Sequence, residues 1–325
     1  MTNYKWATLG TGVIANELAQ ALEKRGEKLH AVANRTYEKG LEFAAKYGID
    51  KVYEEIDQVF EDPEVDIIYI STPHNTHINY LRKALAAGKH VLCEKSITLN
   101  SQELEEAVAL AQEHQVILAE AMTIFHMPIY RELKVLLDSG KLGKVQMIQM
   151  NFGSYKDYDM SNRFFNRYLA GGALLDIGVY ALSFVRWFMD SCPTQLFSQV
   201  QLAPSGVDER VGILLSNDQG QMATVALTLH AKQPKRGMIA CDKGYIELYE
   251  YPRGQEAVIT YTEDGRQEVL QAGETGSALS YEVADMEAAV AGQENHMYLD
   301  YSRDVMALMT QLRQEWGLTY PEEEV

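Results

Sequence analysis

The most constraining feature of this sequence is a glycine-rich turn close to one end of it, Thr8-Leu-Gly-Thr-Gly-Val-Ile-Ala15. An apolar stretch precedes the turn, and apolar residues follow it at helical spacing. A strand, glycine turn and helix in this order bring backbone N–H groups and the positive end of a helix dipole up to a pyrophosphate. Such a motif on its own is weak evidence for a nucleotide site, so the segments around it must show whether the fold of a nucleotide-binding domain is present. The candidate cofactor contacts in it are Gly10, Thr11, Gly12, Val13, Ile14 and Ala15.

The first 120 residues alternate between short apolar strands and amphipathic helices. This alternation predicts an α/β domain with a doubly wound parallel sheet, which raises the glycine turn to a nucleotide site. Gly88 suits a helix C-terminal cap, and Asn100-Ser-Gln-Glu103 resembles a capping box. The predicted strands are Tyr4–Leu9, Leu29–Ala33, Asp66–Ser71, His90–Cys93 and Val116–Ala119.

The end of the second strand indicates which dinucleotide is bound. NAD enzymes usually place an acid there for the ribose 2′-hydroxyl, whereas this chain reads Asn34-Arg35-Thr36. The planar guanidinium of Arg35 suits a 2′-phosphate, Asn34 and Thr36 could add hydrogen bonds, and Lys39 adds charge. We therefore expect NADP rather than NAD. The alternative is that Arg35 is an ordinary surface arginine.

Two further strand ends should meet at the same edge of the sheet. One carries Ser71, Thr72, Pro73 and, four residues later, His77, while the other carries Glu94 and Lys95. His74 and His77 could be imagined as a metal pair, but no H-E-x-x-H or cysteine cluster accompanies them, so we expect no metal and a cofactor-lining role. The Lys95 ammonium, at a strand tip, could orient or polarise a substrate hydroxyl. The alternative is that Lys95 is an ordinary surface lysine.

Composition excludes some classes of partner. The 325 residues, enough for two domains, carry 46 acidic and 29 basic side chains and a net charge of −17, which disfavours nucleic acid and anionic membranes. No wholly apolar run approaches the roughly 20 residues of a membrane helix. The first six residues run straight into a strand, so no signal peptide is expected. Three isolated cysteines without C-x-x-C spacing favour a reducing cytoplasm: Cys93, Cys192 and Cys241.

The second half of the chain contains one helix with a chemical face. Asp176 and Tyr180 lie four residues apart on a helix predicted over about 172–188, so they share a side of it. A phenol is protonated at neutral pH and can donate to a nascent alkoxide. A nearby Lys95 ammonium would assist the reverse proton removal, and Asp176 could accept from the substrate or hold Lys95. The alternative is that Tyr180 is an ordinary core tyrosine.

A polar loop and a predicted sheet complete the second half. The loop of residues 151–167 holds the candidate substrate contacts Tyr158 and Arg163, unless it is simply a solvated surface loop. Beyond residue 194 a period of two and turn signals at 217–220, 242–244 and 263–265 predict an antiparallel sheet. With helices on one side only, its other face could pair two copies into a homodimer. An apolar stripe at 305–316 predicts a last helix, about 301–316, that packs back on the first domain, followed by a frayed acidic tail at 322–325.

These motifs together resemble the glucose-fructose oxidoreductase/inositol dehydrogenase (Gfo/Idh/MocA) family. The matching segments are residues 10–15, 34–35, 71–73 with His77, 94–95 and 171–180. Within the family the sequence is most similar to the branch of dimeric dihydrodiol dehydrogenases and NADP-linked xylose dehydrogenases. That closer likeness is carried by residues 120–122, 171–176 and 280–282.

The resemblance implies a Rossmann domain, expected over 1–121, and a C-terminal α+β domain with an open, mostly antiparallel sheet, expected over 122–325. It also implies hydride transfer between nicotinamide and a sugar, polyol or diol carbon. Lys95 matches the lysine of the family's E-K-P motif, and Asp176 and Tyr180 match its D-x-G-x-(H/Y) motif. Ser96 departs from the usual proline, and Tyr180 stands where many members have histidine.

The expected function is therefore a cytoplasmic NADP-dependent oxidoreductase with Lys95, Tyr180 and Asp176 as its catalytic residues. Two alternatives stay open: a non-catalytic regulator that senses dinucleotide, and a sugar enzyme that keeps tightly bound NAD. The sequence identifies neither the sugar or diol nor the physiological direction.

Overall fold

A computed structural model of the chain describes residues 4–324, which cluster into two compact units. The first unit runs up to Met122 and includes Ser277–Leu299, and the second comprises Thr123–Gly276 with the residues from Asp300 onward. Residues 1–3 and residue 325 lie outside the described part. They belong to the first six residues, for which no signal peptide is expected, and to the acidic tail that is expected to be frayed.

The first unit is built on six short strands with helices between them. Its strands are β1 (Trp6–Leu9), β2 (Ala31–Ala33), β3 (Lys51–Tyr53), β4 (Ile67–Ile70), β5 (His90–Glu94) and β6 (Leu118–Ala121). Its helices are α1 (Val13–Lys24), α2 (Tyr37–Tyr47), α3 (Gln58–Glu61), α4 (His77–Ala86), α5 (Ser101–Glu113) and, from later in the chain, α9 (Ala278–Val290). Strand β3 and helix α3, which are three and four residues long, were not predicted from the sequence.

The six strands are all parallel and lie in the order β3-β2-β1-β4-β5-β6, which confirms the predicted doubly wound sheet. The central strands β1 and β4 are buried throughout because helices cover both faces of such a sheet. The strand order reverses between β1 and β4. Ligands of open parallel sheets bind beyond the carboxyl ends of the strands at such a point.

The second unit contains an eight-stranded sheet and the remaining helices. Its strands lie in the order β14-β13-β12-β11-β7-β10-β9-β8, and only β7 and β10 pair in parallel, which confirms the expected open, mostly antiparallel sheet. The strands are β7 (Val145–Gly153), β8 (Gln195–Leu202), β9 (Asp208–Ser216), β10 (Met222–Thr228), β11 (Gln233–Cys241), β12 (Gly244–Tyr249), β13 (Glu256–Tyr261) and β14 (Gln267–Gln271). Its helices are α6 (Thr123–His126), α7 (Pro128–Asp138), α8 (Val179–Phe188) and α10 (Leu299–Glu315).

The two faces of this sheet differ in burial. Ile213, Val225 and Met150 form a buried row on the inner face, where α8 packs. Contact is close because two glycines lie between them: a Cβ on Gly237 would stand 2.8 Å from the Phe184 ring, and one on Gly178 would stand 2.8 Å from Leu227. A second paired row, partly or fully exposed, crosses all eight strands on the outer face: Phe197, Leu214, Thr224, Gln149, Met238, Glu247, Val258 and Val269.

The helix that returns to the first unit is α9 and not the last helix, which corrects the expectation for residues 301–316. Glu287 on α9 accepts a hydrogen bond from the Trp6 indole at 3.0 Å and pairs with Arg25 at 2.5 Å. By contrast, Asp304 on α10 pairs with Arg186 of α8 at 2.6 Å. The apolar stripe of α10 showed that a face is buried, but this stripe did not show against which partner.

One helical stretch, Arg167–Phe188, is long and apolar enough to cross a membrane by length and composition, which the sequence analysis had not identified. In the structure 78% of its apolar window is buried within the protein. This burial is that of a core helix.

Candidate active site

The glycine turn follows β1 at the point where the strand order reverses. Gly10 has φ +101°, a conformation that side chains other than glycine rarely adopt, and a Cβ there would lie 2.9 Å from the carbonyl oxygen of Ser71. Its N–H donates to the Ala33 carbonyl at 2.9 Å. Gly10 therefore ties the carboxyl ends of β1, β2 and β4 into one edge.

Gly12 faces open space instead. Among residues 4–324, a Cβ at Gly12 would meet no atom within 4 Å, and no side chain caps the N-terminus of α1 that begins after it. The side chain of Val13, the first helical residue, is 81% exposed. The first-turn N–H groups are thus left without side-chain acceptors beneath an open approach, which fits the pyrophosphate of a dinucleotide.

The end of β2 is polar and lacks an acid at its tip. Asn34 joins it to the glycine turn, because its amide donates to the Thr36 carbonyl at 2.8 Å and its oxygen accepts from the Thr11 hydroxyl at 3.3 Å. Arg35 and Lys39 are exposed. A groove of about 250 Å³ lies alongside, lined by Thr11, Asn16, Lys39, Glu42, Phe43 and Lys46.

Lys95 follows β5 and is half-buried, and its main chain is held by neighbouring side chains. The imidazole Nε2 of His74 lies 3.0 Å from the Lys95 carbonyl oxygen, and the N–H of Ile97 donates to the buried carboxylate of Glu120 at 3.1 Å. The peptide bond between Lys95 and Ser96 is cis. Glu94, just before Lys95, accepts a hydrogen bond from the Tyr69 hydroxyl.

His77 is fully buried at the start of α4. Its Nδ1 lies 3.0 Å from the Ser96 carbonyl oxygen and its Nε2 lies 2.8 Å from that of Thr72, so the ring bridges two strand-end loops. Burial lowers the pKa of His77, which favours the neutral ring, against the opposing effect of these carbonyl groups. Because its two nitrogens face peptide oxygens, His77 holds these loops together and exposes no surface of its own to a cofactor.

Ser71, Thr72 and Pro73 form the loop after β4. The Ser71 hydroxyl donates to the Leu9 carbonyl at 2.9 Å, and the Thr76 hydroxyl donates to the Thr72 hydroxyl oxygen at 2.8 Å. Pro73 is exposed. The predicted contact residues of β1, β2, β4 and β5 thus collect at one edge of the parallel sheet. Two of them, Ala15 and His77, are fully buried.

A different cluster in the first unit has the residue types of a metal site. Ligand atoms of His30, Asp62 and Glu64 lie within 4.8 Å of one another. However, Lys51 pairs with Asp62 at 2.6 Å and Lys5 pairs with Glu64 at 2.5 Å. The two ammonium groups already neutralise these carboxylates, so the cluster is explained as a salt-bridge network.

Asp176 and Tyr180, the predicted chemical face of the second unit, lie where a π-helical turn joins α8. A π-helical turn spans Leu174–Gly178 and continues directly into α8, so the helix predicted from 172 begins with a wider turn. Such turns occur frequently at functional sites. Of residues 170–185, all of which the structure describes, Asp176 and Tyr180 are the two that are not buried. The Tyr180 ring packs against Phe152, with ring centroids 6.3 Å apart.

The loop before this helix contains both candidate substrate contacts. Arg163 is largely exposed, and its guanidinium lies 3.9 Å from the Asp176 carboxylate. The Tyr158 hydroxyl donates to Glu209 at 2.6 Å, which raises the pKa of that phenol, and its ring stacks on His230 at 4.0 Å. The Tyr158 hydroxyl is therefore engaged within the protein, whereas the side chain of Arg163 extends beside Asp176.

Two further residues next to this helix escaped the sequence analysis. Asp208, fully buried, accepts a hydrogen bond from the Leu174 N–H at 2.6 Å, and the Tyr320 hydroxyl donates to the Gly171 carbonyl at 2.7 Å. The acidic tail was expected to be frayed, but its described part is held in place, because Glu323 pairs with the buried Arg313 at 2.7 Å. No local pattern marks these contacts, which join segments far apart in the chain.

Comparisons with known proteins agree with this architecture. Residues 4–122 match the family model described as an oxidoreductase family with an NAD-binding Rossmann fold, and residues 130–247 match the GFO/IDH/MocA C-terminal domain. Trans-1,2-dihydrobenzene-1,2-diol dehydrogenase of Xenopus laevis is 31% identical over 98% of this chain and 99% of its own length. The human protein of that name is 31% identical over 75% of this chain and 74% of its own length.

Solved structures share the fold at lower identity. A 3-ketoreductase from Actinomadura kijaniata, solved with NADP and TDP-benzene, superposes with a TM-score of 0.86 at 23% identity over 96% of this chain and 98% of its own. An aldose-aldose oxidoreductase from Caulobacter crescentus, complexed with glycerol, superposes with a TM-score of 0.85 at 23% identity over 96% and 97%. With both halves of the chain matched by its models, this protein belongs to the Gfo/Idh/MocA family of NAD(P)-binding oxidoreductases.

Proposed function

We propose that this enzyme uses NADP(H) to oxidise a CH–OH group of a sugar, polyol or vicinal diol, or to reduce the matching carbonyl. Lys95 and Tyr180 handle the reacting oxygen and its proton, with Asp176 in support. The relatives are named as diol dehydrogenases, and the structural neighbours as a 3-ketoreductase and an aldose-aldose oxidoreductase, which supports this range of substrates.

The observation that carries the proposal is the selective exposure within residues 170–185, in the first part of the central helix of the second unit. Partial exposure within an otherwise buried stretch gives a ligand access to one carboxylate and one phenol. Asp176 and Tyr180 are those two residues, and they stand one turn apart. Together they supply an acceptor and a proton donor.

The nicotinamide, when bound, supplies or accepts the hydride at C4. In carbonyl reduction, the Tyr180 hydroxyl donates its proton to the oxygen on which negative charge develops. The Lys95 ammonium stabilises that charge and, in the direction of oxidation, favours the tyrosinate that removes the hydroxyl proton. Asp176 accepts a hydrogen bond from a second substrate hydroxyl.

Preference for NADP is supported by the exposed end of β2. Arg35 and Lys39 place two cations there, Asn34 fixes the loop that bears them, and no acid stands at the strand tip to bind a free 2′-hydroxyl. The groove beside Lys39 adds Lys46 on the same side.

Initial rates of NADP⁺ and NAD⁺ reduction across aldoses, inositols and trans-diols test the proposal. We expect turnover with NADP⁺ and at least one member of this panel. Tyr180→Phe and Lys95→Met should each reduce kcat by about 100-fold or more, in the range of lost acid–base catalysis. The exposed residues Tyr249 and Lys141 provide matched controls, so Tyr249→Phe and Lys141→Met should keep full activity.

Three outcomes contradict parts of this proposal. Full turnover by both Tyr180→Phe and Lys95→Met would remove the assigned roles. Tight NADPH binding without turnover of any substrate would favour a regulator that senses dinucleotide. NAD that survives desalting would favour an enzyme that keeps its cofactor through an internal oxidation and reduction cycle.

We also propose that the outer face of the eight-stranded sheet forms a homodimer. Its central paired row contains Phe197, which is 66% exposed, and Val269, which is 56% exposed, with Leu214, Met238 and Val258 between them. Five of the eight positions in this row are apolar, and the other three are Thr224, Gln149 and Glu247. A row in which exposed apolar side chains predominate marks a candidate interface.

A further inference from the structure

The segment that leads into the helix bearing Asp176 and Tyr180 is fixed by contacts from outside that helix. Gly172 has φ +127°, and a Cβ there would clash with the Asp208 carboxylate, so the main chain passes directly against this side chain. The Asp208 carboxylate accepts the Leu174 N–H at 2.6 Å. Asp208 thus takes the place of an N-terminal cap although it lies on β9, 34 residues further along the chain.

The other restraint comes from the tail segment, defined here as Leu318–Glu324. Tyr320 is fully buried, and its hydroxyl donates to the Gly171 carbonyl at 2.7 Å. Arg313 of α10 holds the tail in place through two hydrogen bonds to Glu323, at 2.7 and 2.8 Å, and its guanidinium lies 4.8 Å from the Tyr320 ring. The tail therefore reaches the loop through a buried charge pair.

A third contact fastens the tail to the same loop. Arg167, four residues before Gly171, donates to the Thr319 carbonyl at 2.8 Å and pairs with Glu324. Besides the hydrogen bond of Tyr320, the loop and the tail are thus joined at two points, one on each side of Tyr320. A surface segment without a role in the loop would need neither the buried tyrosine nor the buried arginine.

We propose that Asp208 and the tail segment are a positioning device for Asp176 and Tyr180, acting through the main chain of residues 171–174. This inference rests on the proposed function, because it assumes that Asp176 and Tyr180 act on the substrate. A small displacement of the helix start would shift both side chains together. Displacements of about 1 Å in a catalytic group lower rates by up to about 100-fold.

The principal test is Tyr320→Phe, which removes one hydroxyl and keeps the buried ring. We expect kcat to fall about 10-fold while the Kd for NADPH, measured by fluorescence, stays unchanged, because the glycine turn belongs to the first unit. The matched control is Tyr53→Phe, since Tyr53 is also buried and its hydroxyl donates to Asp62, but in the first unit. That control should lose a comparable amount of thermal stability and keep kcat.

Asp208→Asn and Asp208→Leu separate positioning from folding. The side-chain amide oxygen of the first variant can still accept from Leu174, so its kcat should stay within about 3-fold of wild type, whereas Asp208→Leu should lose about 10-fold or more. Arg313 and Tyr320 are the charged and titratable groups that face the Asp208 carboxyl, and Glu323 and Arg167 face Tyr320. Burial raises the pKa of Asp208 to about 7, so the wild-type kcat should rise between about pH 6 and 8 as the carboxyl ionises and caps the helix more strongly.

In Asp208→Asn this component of the pH profile should be absent, which a purely structural role would not predict. Full kcat in both Tyr320→Phe and Asp208→Leu, alongside an inactive Tyr180→Phe, would overturn the positioning role and leave the proposed function intact. Full turnover by Tyr180→Phe would overturn the proposed function itself, together with the target of this device.

Discussion

Gly10 and Gly12 stand two residues apart in one turn but face different surroundings. Gly10 is closed in by Ser71 and has a positive φ, whereas Gly12 has an ordinary backbone conformation and faces open space. The first glycine is therefore required by the fold, and the second is required only where a ligand approaches. This contrast distinguishes a cofactor turn from a merely structural one.

We predict opposite effects for the two alanine variants. Gly10→Ala should lower the free energy of unfolding by about 2 kcal/mol or more, because it combines a strained φ with a clash against a backbone oxygen. Gly12→Ala should leave stability unchanged and raise the Kd for NADPH about 10-fold or more, because its methyl group would occupy the phosphate approach. Thermal unfolding and fluorescence titration measure the two effects. Unchanged NADPH affinity in Gly12→Ala would argue against a pyrophosphate at this turn.

Arg35 provides a second prediction at the level of a single residue. Arg35→Ala should weaken NADPH binding by about 10- to 100-fold, the range for a lost hydrogen bond to a charged group, and leave NADH binding unchanged. Titration of both nucleotides against the same variant separates loss of the 2′-phosphate contact from general damage. Arg266→Ala, at an exposed site in the turn between β13 and β14, is the matched control. Equal loss for NADPH and NADH would contradict a 2′-phosphate site.

At the level of elements, the helix of the second unit depends on a capping group supplied by another strand. Ordinary caps are local and can be recognised in sequence, as with Asn100, whose side chain accepts the Glu103 N–H at 2.9 Å at the start of α5. Asp208 performs the corresponding contact from β9. A buried carboxylate at such a position is poorly solvated, which favours its protonated form. The free energy of unfolding therefore depends on whether this carboxyl is protonated.

This buried carboxyl predicts how stability changes with pH. The pKa of Asp208 is raised to about 7 in the folded state by burial, above the ordinary value of 3.8. The folded protein therefore keeps this proton to higher pH than the unfolded chain, so the contribution of Asp208 to the free energy of unfolding is fully present below about pH 4 and is lost as the pH rises to about 7. Asp208→Asn should abolish this component.

Denaturant unfolding of wild type and Asp208→Asn at several pH values between about 5 and 8 measures the difference. The stability of the variant relative to wild type should increase up to about pH 7 and then level off. A constant difference across this range would show that the carboxyl does not titrate there.

At the level of the whole molecule, the proposed homodimer predicts how a substitution on the outer sheet face changes assembly. Phe197→Glu should convert a dimer into a monomer in sedimentation velocity, because it replaces a 66% exposed apolar side chain of this row with a charge that the two copies would bury. Val135→Glu is the matched control, since Val135 is equally exposed, at 66%, but lies on α7 and outside the sheet. Dissociation by Val135→Glu, or a dimer that survives Phe197→Glu, would contradict the proposed interface.

Periodicity and turn chemistry allowed the fold to be predicted, because both are local properties of the chain. The doubly wound sheet follows from alternating strands and helices, and the hairpins after β9, β11 and β13 follow from Asn, Asp and Gly at the turns. The three-residue strand β3, Lys51-Val-Tyr53, was missed because it forms no apolar run, whereas the equally short β2 is entirely apolar. The partner of α10 was predicted incorrectly because an apolar stripe specifies a buried face but not the surface that covers it.

The sequence by itself determined the glycine turn, the polar end of β2, the lysine after β5 and the spacing of Asp176 and Tyr180, since each is a short pattern of chemistry-bearing residues. Only the tertiary structure decided that His77 lies buried between two loops, that Tyr158 is bonded to Glu209, and that Asp208 and Tyr320 hold the helix start. These contacts join residues up to 149 positions apart. The pairing of such distant groups depends on how the strands and helices pack, and no local pattern of residues specifies that packing.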